Sequence, residues 1–265
     1  CVMYWLRLRN GLFLGVLMLS GVVDAAPRVS TNKVDASPRQ IRQFAMTGAA
    51  DAQYNLGVLY YNGDGVVRNR VKAAEWFDLA ARQGLARAQY NLGALHASGI
   101  GVPRNLDIAI SWFRAAADQD YPPALYALGM AYYEGNGVTL DSNRAAALVL
   151  KAAELGSALA QNNIGIMYDQ GVGLKRNKRK AAEWFQQAAD SGVSEAQFNL
   201  AQMLLVGDGV RKNTSKGLAY MTESANRGYP KALRRLGEMY LNGDSVAMDV
   251  DRARDLLNKA AASGG

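Results

Sequence analysis

The chain has 265 residues, with 30 Lys plus Arg against 23 Asp plus Glu and a formal net charge of +7. Hydrophobic residues make up 49% and charged residues 20%, a globular balance that excludes a disordered or collagen-like chain. One His and one Cys exclude an internal disulfide, a two-His or multi-Cys metal site, and any triad not built on His96.

Residues 1–25 carry Arg7 and Arg9, then an apolar run from Gly11 to Val23. Val23 and Ala25 stand at −3 and −1 of a cleavage before Ala26, the order of a secretory signal peptide. The run is shorter than the ~20 residues a bilayer span needs. Cleavage is therefore expected, with an uncleaved inner-membrane anchor as the alternative. A periplasmic or secreted bacterial protein follows, with no stable membrane insertion once the signal is removed. Val22 stands where a lipidated Cys would follow Leu19-Ser20-Gly21, which argues against lipidation. Cys1 is odd as a first residue, and Met3 is a candidate start. Residues 26 to about 40 hold Pro27 and Pro38 without apolar periodicity and read as a linker.

From Ala49 the chain divides into six blocks of 36 residues without an insertion: 49–84, 85–120, 121–156, 157–192, 193–228 and 229–264. Position 4 is Ala in every block (Ala52, Ala88, Ala124, Ala160, Ala196, Ala232), and position 15 is always Gly, from Gly63 to Gly243. Position 8 is Leu or Ile, and a bulky pair such as Trp76-Phe77 or Trp184-Phe185 comes late in each block. Residues 40–48 read as the tail of an earlier, incomplete block, so 26–48 is linker plus partial repeat.

Each block reads as two helices. In the first, Ala52, Leu56, Leu59 and Tyr60 recur at helical spacing until Gly63 stops the run; Ala73, Trp76, Phe77, Ala80 and Ala81 form a second face ended by Gly84. The Gly-x-Gly corner between them supplies positive φ. Gly57, Gly93, Gly129 and Gly165 fall inside first helices, where Gly costs about 1 kcal/mol against Ala. That recurrence predicts close helix approach beneath bulky neighbours. Of the 27 glycines, 21 fall at four positions of the repeat.

The signature Ala-x-x-x-Leu-Gly-x-x-Tyr-x-x-Gly-x-Gly-Val, followed by Ala-Ala-x-Trp-Phe-x-x-Ala-Ala-x-x-Gly, resembles the Sel-one-like repeat, a relative of the tetratricopeptide repeat. The resemblance covers 49–264 and implies an all-α fold, an α/α solenoid of six helix-turn-helix repeats whose first helices line a concave groove. It also implies an interaction scaffold, since bacterial members regulate signalling, envelope polysaccharide or motility, or contact host cells. Secreted members linked to β-lactam hydrolysis carry a Cys pair per repeat, which this chain lacks. Block five departs most, with Ala201 for Gly, Leu204 for Tyr and Gly217 for Ala, and its packing is expected to be the least secure.

Candidate sites follow from the variable positions. Position 6 holds Tyr54, Tyr90, Tyr126, Asn162, Phe198 and Arg234; position 7 holds Asn55, Asn91, Ala127, Asn163, Asn199 and Arg235. Tyr54, Asn55, Tyr90, Asn91, Tyr126, Asn163 and Asn199 either hold an extended peptide of a partner or support packing between repeats. Lys175, Arg176, Lys178, Arg179, Lys180, Arg211 and Lys212 form a candidate basic edge at two turns, for anionic glycan or simply for solvent. Arg68, Arg70 and Lys72 are a similar group in block one. The charge surplus is too small and too dispersed to indicate nucleic acid. His96 stands where Tyr60, Tyr132 and Tyr168 stand, which favours a packed imidazole over a catalytic one.

Ser30-x-x-Lys33 matches one element of penicillin-recognising enzymes, but neither Ser-Asp-Asn nor Lys-Thr-Gly occurs. Asn213-Thr214-Ser215 is a glycosylation sequon, without meaning in a bacterium. No nucleophile stands with a base. The expectation is an exported, non-enzymatic adaptor for another envelope protein or peptide, without cofactor or metal. The alternatives are a β-lactam- or peptidoglycan-directed hydrolase and an anionic-glycan binder. Leu256 and Leu257 on the last helix are expected to leave apolar surface open, to be covered by a further C-terminal segment, by self-association through the C-terminal repeat or by a docked partner.

Overall fold

The computed structural model describes residues 37–263, so the signal segment, most of the linker and Ser30–Lys33 lie outside the described residues. Thirteen helices and no strand occur among the described residues. They are α1 (Pro38–Met46), α2 (Ala50–Asn62), α3 (Arg70–Arg82), α4 (Ala86–Ser98), α5 (Leu106–Ala117), α6 (Pro122–Glu134), α7 (Ser142–Glu154), α8 (Ala158–Gln170), α9 (Lys178–Asp190), α10 (Ser194–Val206), α11 (Thr214–Asn226), α12 (Pro230–Asn242) and α13 (Val250–Ala262). Two compact units divide after Ala116. The first holds α1 and the hairpins α2–α3 and α4–α5. The second holds α6–α7, α8–α9, α10–α11 and α12–α13, each hairpin being one repeat.

The 36-residue unit is written into its corners. A Gly in the left-handed region ends each first helix, as at Gly63 (φ 87°) and Gly171 (φ 78°). Position 21 then starts the second helix. Asn69, Asn105, Asp141, Asn177, Asn213 and Asp249 each accept a bond from the backbone N–H three residues on. The backbone N–H of the same residue reaches back to the first helix, as from Asn69 to the Tyr60 carbonyl at 2.8 Å and from Asn177 to that of Tyr168 at 2.8 Å. One side chain thus caps one helix while its own amide ties the corner to the other. Asn213, the sequon residue, is spent on this cap.

Two repeats place another residue at a glycine position. Asp120 (φ 58°) takes the closing position of repeat two, and Ser245 (φ 65°) the second corner position of repeat six. The fold keeps its left-handed backbone there at the cost of Cβ strain, about 1–2 kcal/mol for an ordinary residue and less for Asp.

The glycines inside first helices mark close approach, as the pattern predicted. A Cβ on Gly57 or Gly165 would lie 2.7 Å from ring carbons of Phe77 or Phe185, the bulky residue of the same hairpin. Repeat five contradicts the expectation of loose packing. Ala201 replaces the first-helix glycine, but Gly217 replaces the facing alanine, and a Cβ there would stand 3.1 Å from the Ala201 carbonyl oxygen. The glycine has moved to the other helix. Ala201 and Met221 are completely buried in the cluster this hairpin shares with α12 and α13.

Residues 38–46 form α1, with Ser37 and Gln40 closing a capping box, so the helix takes in residues 40–46 of the partial block together with Pro38 and Arg39. The partial repeat therefore begins at Pro38, earlier than composition suggested. On α13, Leu257 packs beneath Gly237 and Leu256 against the buried cluster that the last two hairpins share. Position 26, apolar in Ala74, Ile110, Ala146, Ala182 and Leu218, holds exposed Arg254 here. The apolar pair expected to stand open is thus half covered from within.

Candidate interaction surface

Position 6 and position 7 meet across successive first helices. Asn91 donates from Nδ2 to the Tyr54 hydroxyl at 3.3 Å, and Asn163 to the Tyr126 hydroxyl at 2.6 Å. Asn199 donates to Asn162 Oδ1 at 3.4 Å. Tyr54, Tyr90 and Asn91 are buried, whereas Asn55, Tyr126, Asn163 and Asn199 are half-buried. Tyr54 packs 5.5 Å from Phe77 and Tyr90 5.8 Å from Phe113, centroid to centroid. The ladder is therefore real, and most of its hydrogen-bonding capacity is turned toward neighbouring repeats. Asn55 keeps a buried Oδ1 without a partner among the described residues. Burial is the main reason the Tyr126 hydroxyl holds its proton well beyond the usual tyrosine range, and the charge of Glu195 adds to it.

Sequence reasoning missed a second recurrent amide. Gln53, Gln89, Gln161 and Gln197, at position 5, donate to the carbonyls of Ala45, Ala81, Ala153 and Ala189 near the end of the preceding second helix, at 3.2–3.4 Å. Each of these helix-end carbonyls also accepts from the backbone N–H of the glycine three residues on, as from Gly84 to Ala81 at 2.9 Å, so the amide is a second donor. The signal was available, since a buried polar residue recurs between apolar ones.

Position 24 carries a cation over the ring at position 12. Lys72 lies 5.5 Å from Tyr60, Arg144 4.6 Å from Tyr132, Lys180 5.2 Å from Tyr168 and Arg252 4.5 Å from Tyr240. Repeat two breaks both halves of this lock, with His96 facing Ile108. His96 is half-buried, and its Nδ1 is buried without a partner. Its backbone oxygen still accepts from Asn105 N at 2.9 Å, the corner bond of the Tyr position.

The basic edge divides into engaged and open cations. Lys178 bridges Asp169 (2.5 Å) and Asp208 (2.7 Å), tying the turn of repeat four to that of repeat five. Burial works to lower its pKa, but the two carboxylates together outweigh burial and hold it above the usual lysine value. Arg176 donates from Nε to the Asp169 carbonyl at 2.9 Å, and Lys180 sits on Tyr168. Lys175, Arg179, Arg211 and Lys212 are exposed and without ion pairs among the described residues.

Position 3 of the first helices, also missed, carries alternating chemistry. In the first unit Arg87 pairs with Asp51 and lies 4.6 Å over the Tyr54 ring. In the second unit Leu159 is 57% exposed, and Glu195 accepts from Asn162 Nδ2 at 3.1 Å and from the Tyr229 hydroxyl at 3.4 Å. No group of three or more His, Cys, Asp or Glu that could hold a metal occurs among the described residues. No described helix is long and apolar enough to cross a membrane.

The Sel1 repeat family model matches residues 50–85, 86–121, 122–157, 158–193, 194–229 and 230–265. A protective antigen of uropathogenic Escherichia coli with an SLR fold is 33% identical, with a TM-score of 0.80 over 87% of this chain and 50% of that one. The chain thus spans about half the length of that protein. A Sel1 repeat protein from Oxalobacter formigenes is 31% identical, with a TM-score of 0.77 over 84% of this chain and 91% of that one. An immunity protein from Pseudomonas aeruginosa, 22% identical over 81% of this chain and 80% of that one with a TM-score of 0.50, shares the fold alone. A comparison with curated proteins gives no match. Proteins of this repeat type are generally interaction scaffolds and typically non-enzymatic. Six matched repeats, all-α hairpins at a 36-residue period and two solved neighbours above 30% identity make this chain an α/α-solenoid member of the Sel1 repeat family.

Proposed function

We propose that the protein is an exported, non-enzymatic scaffold that binds a segment of another envelope protein along the first-helix face of its repeats, in a regulatory role. One observation carries this reading. The backbone of each first helix is held in the same way by Ala at position 4, the corner bond and the glycine end, while the open side chains of that face differ from repeat to repeat. Position 3 alone runs Asp51, Arg87, Pro123, Leu159, Glu195, Lys231. A constant frame with a varying outer face is how a repeat array distinguishes one partner from another. Export rests on the signal-like segment 1–25.

The test is affinity capture from envelope extract with the full chain, wild type against Leu159→Glu and Gln202→Lys. Both positions are exposed, so the fold should survive. A partner retained by wild type and lost by both variants supports the reading. A partner retained equally by all three overturns it. A second reading, an anionic glycan on the basic edge, is favoured by the open Lys175, Arg179, Arg211 and Lys212 on two turns joined through Lys178.

A further inference from the structure

The first unit contains a finished recognition unit made from its own residues. Asp51 and Tyr54, at positions 3 and 6 of repeat one, hold Arg87, which comes from position 3 of repeat two. The guanidinium pairs with the carboxylate and lies 4.6 Å above the ring. An arginine is thereby seated between a carboxylate and an aromatic face, each of which attracts a cation.

The second unit repeats the carboxylate and the ring, but Tyr229 rather than a cation stands against both. Glu195 and Phe198 stand at positions 3 and 6 of repeat five. By the same spacing the internal cation would be Lys231, which is exposed and makes no ion pair among the described residues. Among the described residues the half-buried Glu195 carboxylate receives only the neutral donors Asn162 and Tyr229. Two carboxylate oxygens offer about four acceptor sites, so two hydrogen bonds leave room for a charged donor. Phe198 and Tyr229 pack with centroids 5.5 Å apart beside it; Phe198 is buried, so the half-buried Tyr229 is the ring a ligand meets. Leu159, exposed at the same position one repeat earlier, offers apolar surface to the stem of a long basic side chain. The charge on Glu195 is felt on both sides of the seat. After burial, it is the next cause that pushes the Tyr126 and Tyr229 phenols up.

We propose that Glu195, with the half-buried Tyr229 ring, seats an arginine or lysine side chain of the partner segment. This rests on the interaction reading above and adds a cationic anchor to it. The internal Arg87 complex joins the same two chemistries, a carboxylate and an aromatic ring, to one cation. Asn162 and Tyr229 act as positioning residues that aim the carboxylate.

The experiment titrates isotope-labelled full chain with N-acetyl-arginine amide and, separately, with the neutral isostere N-acetyl-citrulline amide, followed by backbone amide shifts. Saturable shifts at Glu195, Phe198 and Tyr229 are expected for the arginine probe, at least about tenfold tighter than for citrulline. Glu195→Gln, which keeps an oxygen for Asn162 and offers an NH2 donor to the Tyr229 hydroxyl, should abolish them while the rest of the spectrum stays unchanged. Absence of saturable shifts, equal binding of citrulline, or undiminished binding by Glu195→Gln would each overturn the proposal. A captured partner that still binds Glu195→Gln at wild-type strength overturns the anchor and leaves the scaffold reading standing.

Discussion

Asn163 on α8 donates to the Tyr126 hydroxyl on α6 at 2.6 Å, while its amide also reaches the Leu159 carbonyl of its own helix at 3.1 Å. The bond joins repeat three to repeat four, as Asn91 and Tyr54 join one to two. A side chain of the first-helix face is thus a structural rung as well. Binding and stability effects at this face must therefore be measured together.

For this rung we expect Tyr126→Phe and Asn163→Ala each to lower stability by about 0.5–1.5 kcal/mol, and the pair to be non-additive by a similar amount. Urea midpoints of the two single variants and the double variant give the coupling. Strict additivity would mean that the bond contributes nothing.

The close approach at Gly165 predicts an effect opposite to helix propensity. Gly165→Ala gains about 1 kcal/mol of propensity but sets a methyl against the Phe185 ring, and overpacking of this kind costs about 1–3 kcal/mol. A net loss of about 1 kcal/mol in urea unfolding is expected. A gain would show that the ring moves aside freely.

The two non-glycine corners predict gains. Ser245→Gly should add about 0.5–1 kcal/mol by relieving a left-handed serine. Asp120→Gly should add less, because Asp120 also pairs with Lys151 at the surface. Thermal midpoints of both variants check this. A Ser245→Gly protein less stable than wild type would contradict the account of the corner.

Most of the architecture was legible because it is local. The period, the corner glycines and the small residue beneath Phe77 or Phe185 are each set within one hairpin, so spacing along the chain reported them directly. The Ala201 and Gly217 exchange was visible as two departures but not as one compensation. Only the facing of the two helices shows that the glycine had crossed over. The site was legible in part. Tyr126 and Asn163 stand out by recurrence, yet the direction of their bond depends on how one hairpin lies on the next. Glu195 escaped notice because position 3 does not recur. Its significance comes from comparison with Asp51 and Arg87 in space.

Alkaline pH should loosen the second unit. Tyr126 and Tyr229 are both pushed above the ordinary value of 10.0, chiefly by burial, so folding favours the neutral phenol. For a group whose folded pKa is raised, the contribution is complete below the unfolded value and is lost as pH rises through the folded one. Urea midpoints should therefore hold below about pH 10 and fall above it. Tyr126→Phe should flatten that fall. An unchanged slope in the variant would argue that Tyr126 does not contribute to it.

Partner binding at the first-helix face is open to a direct test by cross-linking. A photoreactive phenylalanine analogue, placed in separate variants at Leu159, Gln202, Lys175 and Arg211, tests it in intact cells. The first two lie on exposed first-helix positions and the last two on the turns. The account predicts a discrete cross-linked partner from Leu159 and Gln202 and none from the turn positions. A partner captured only from Lys175 and Arg211 would contradict it.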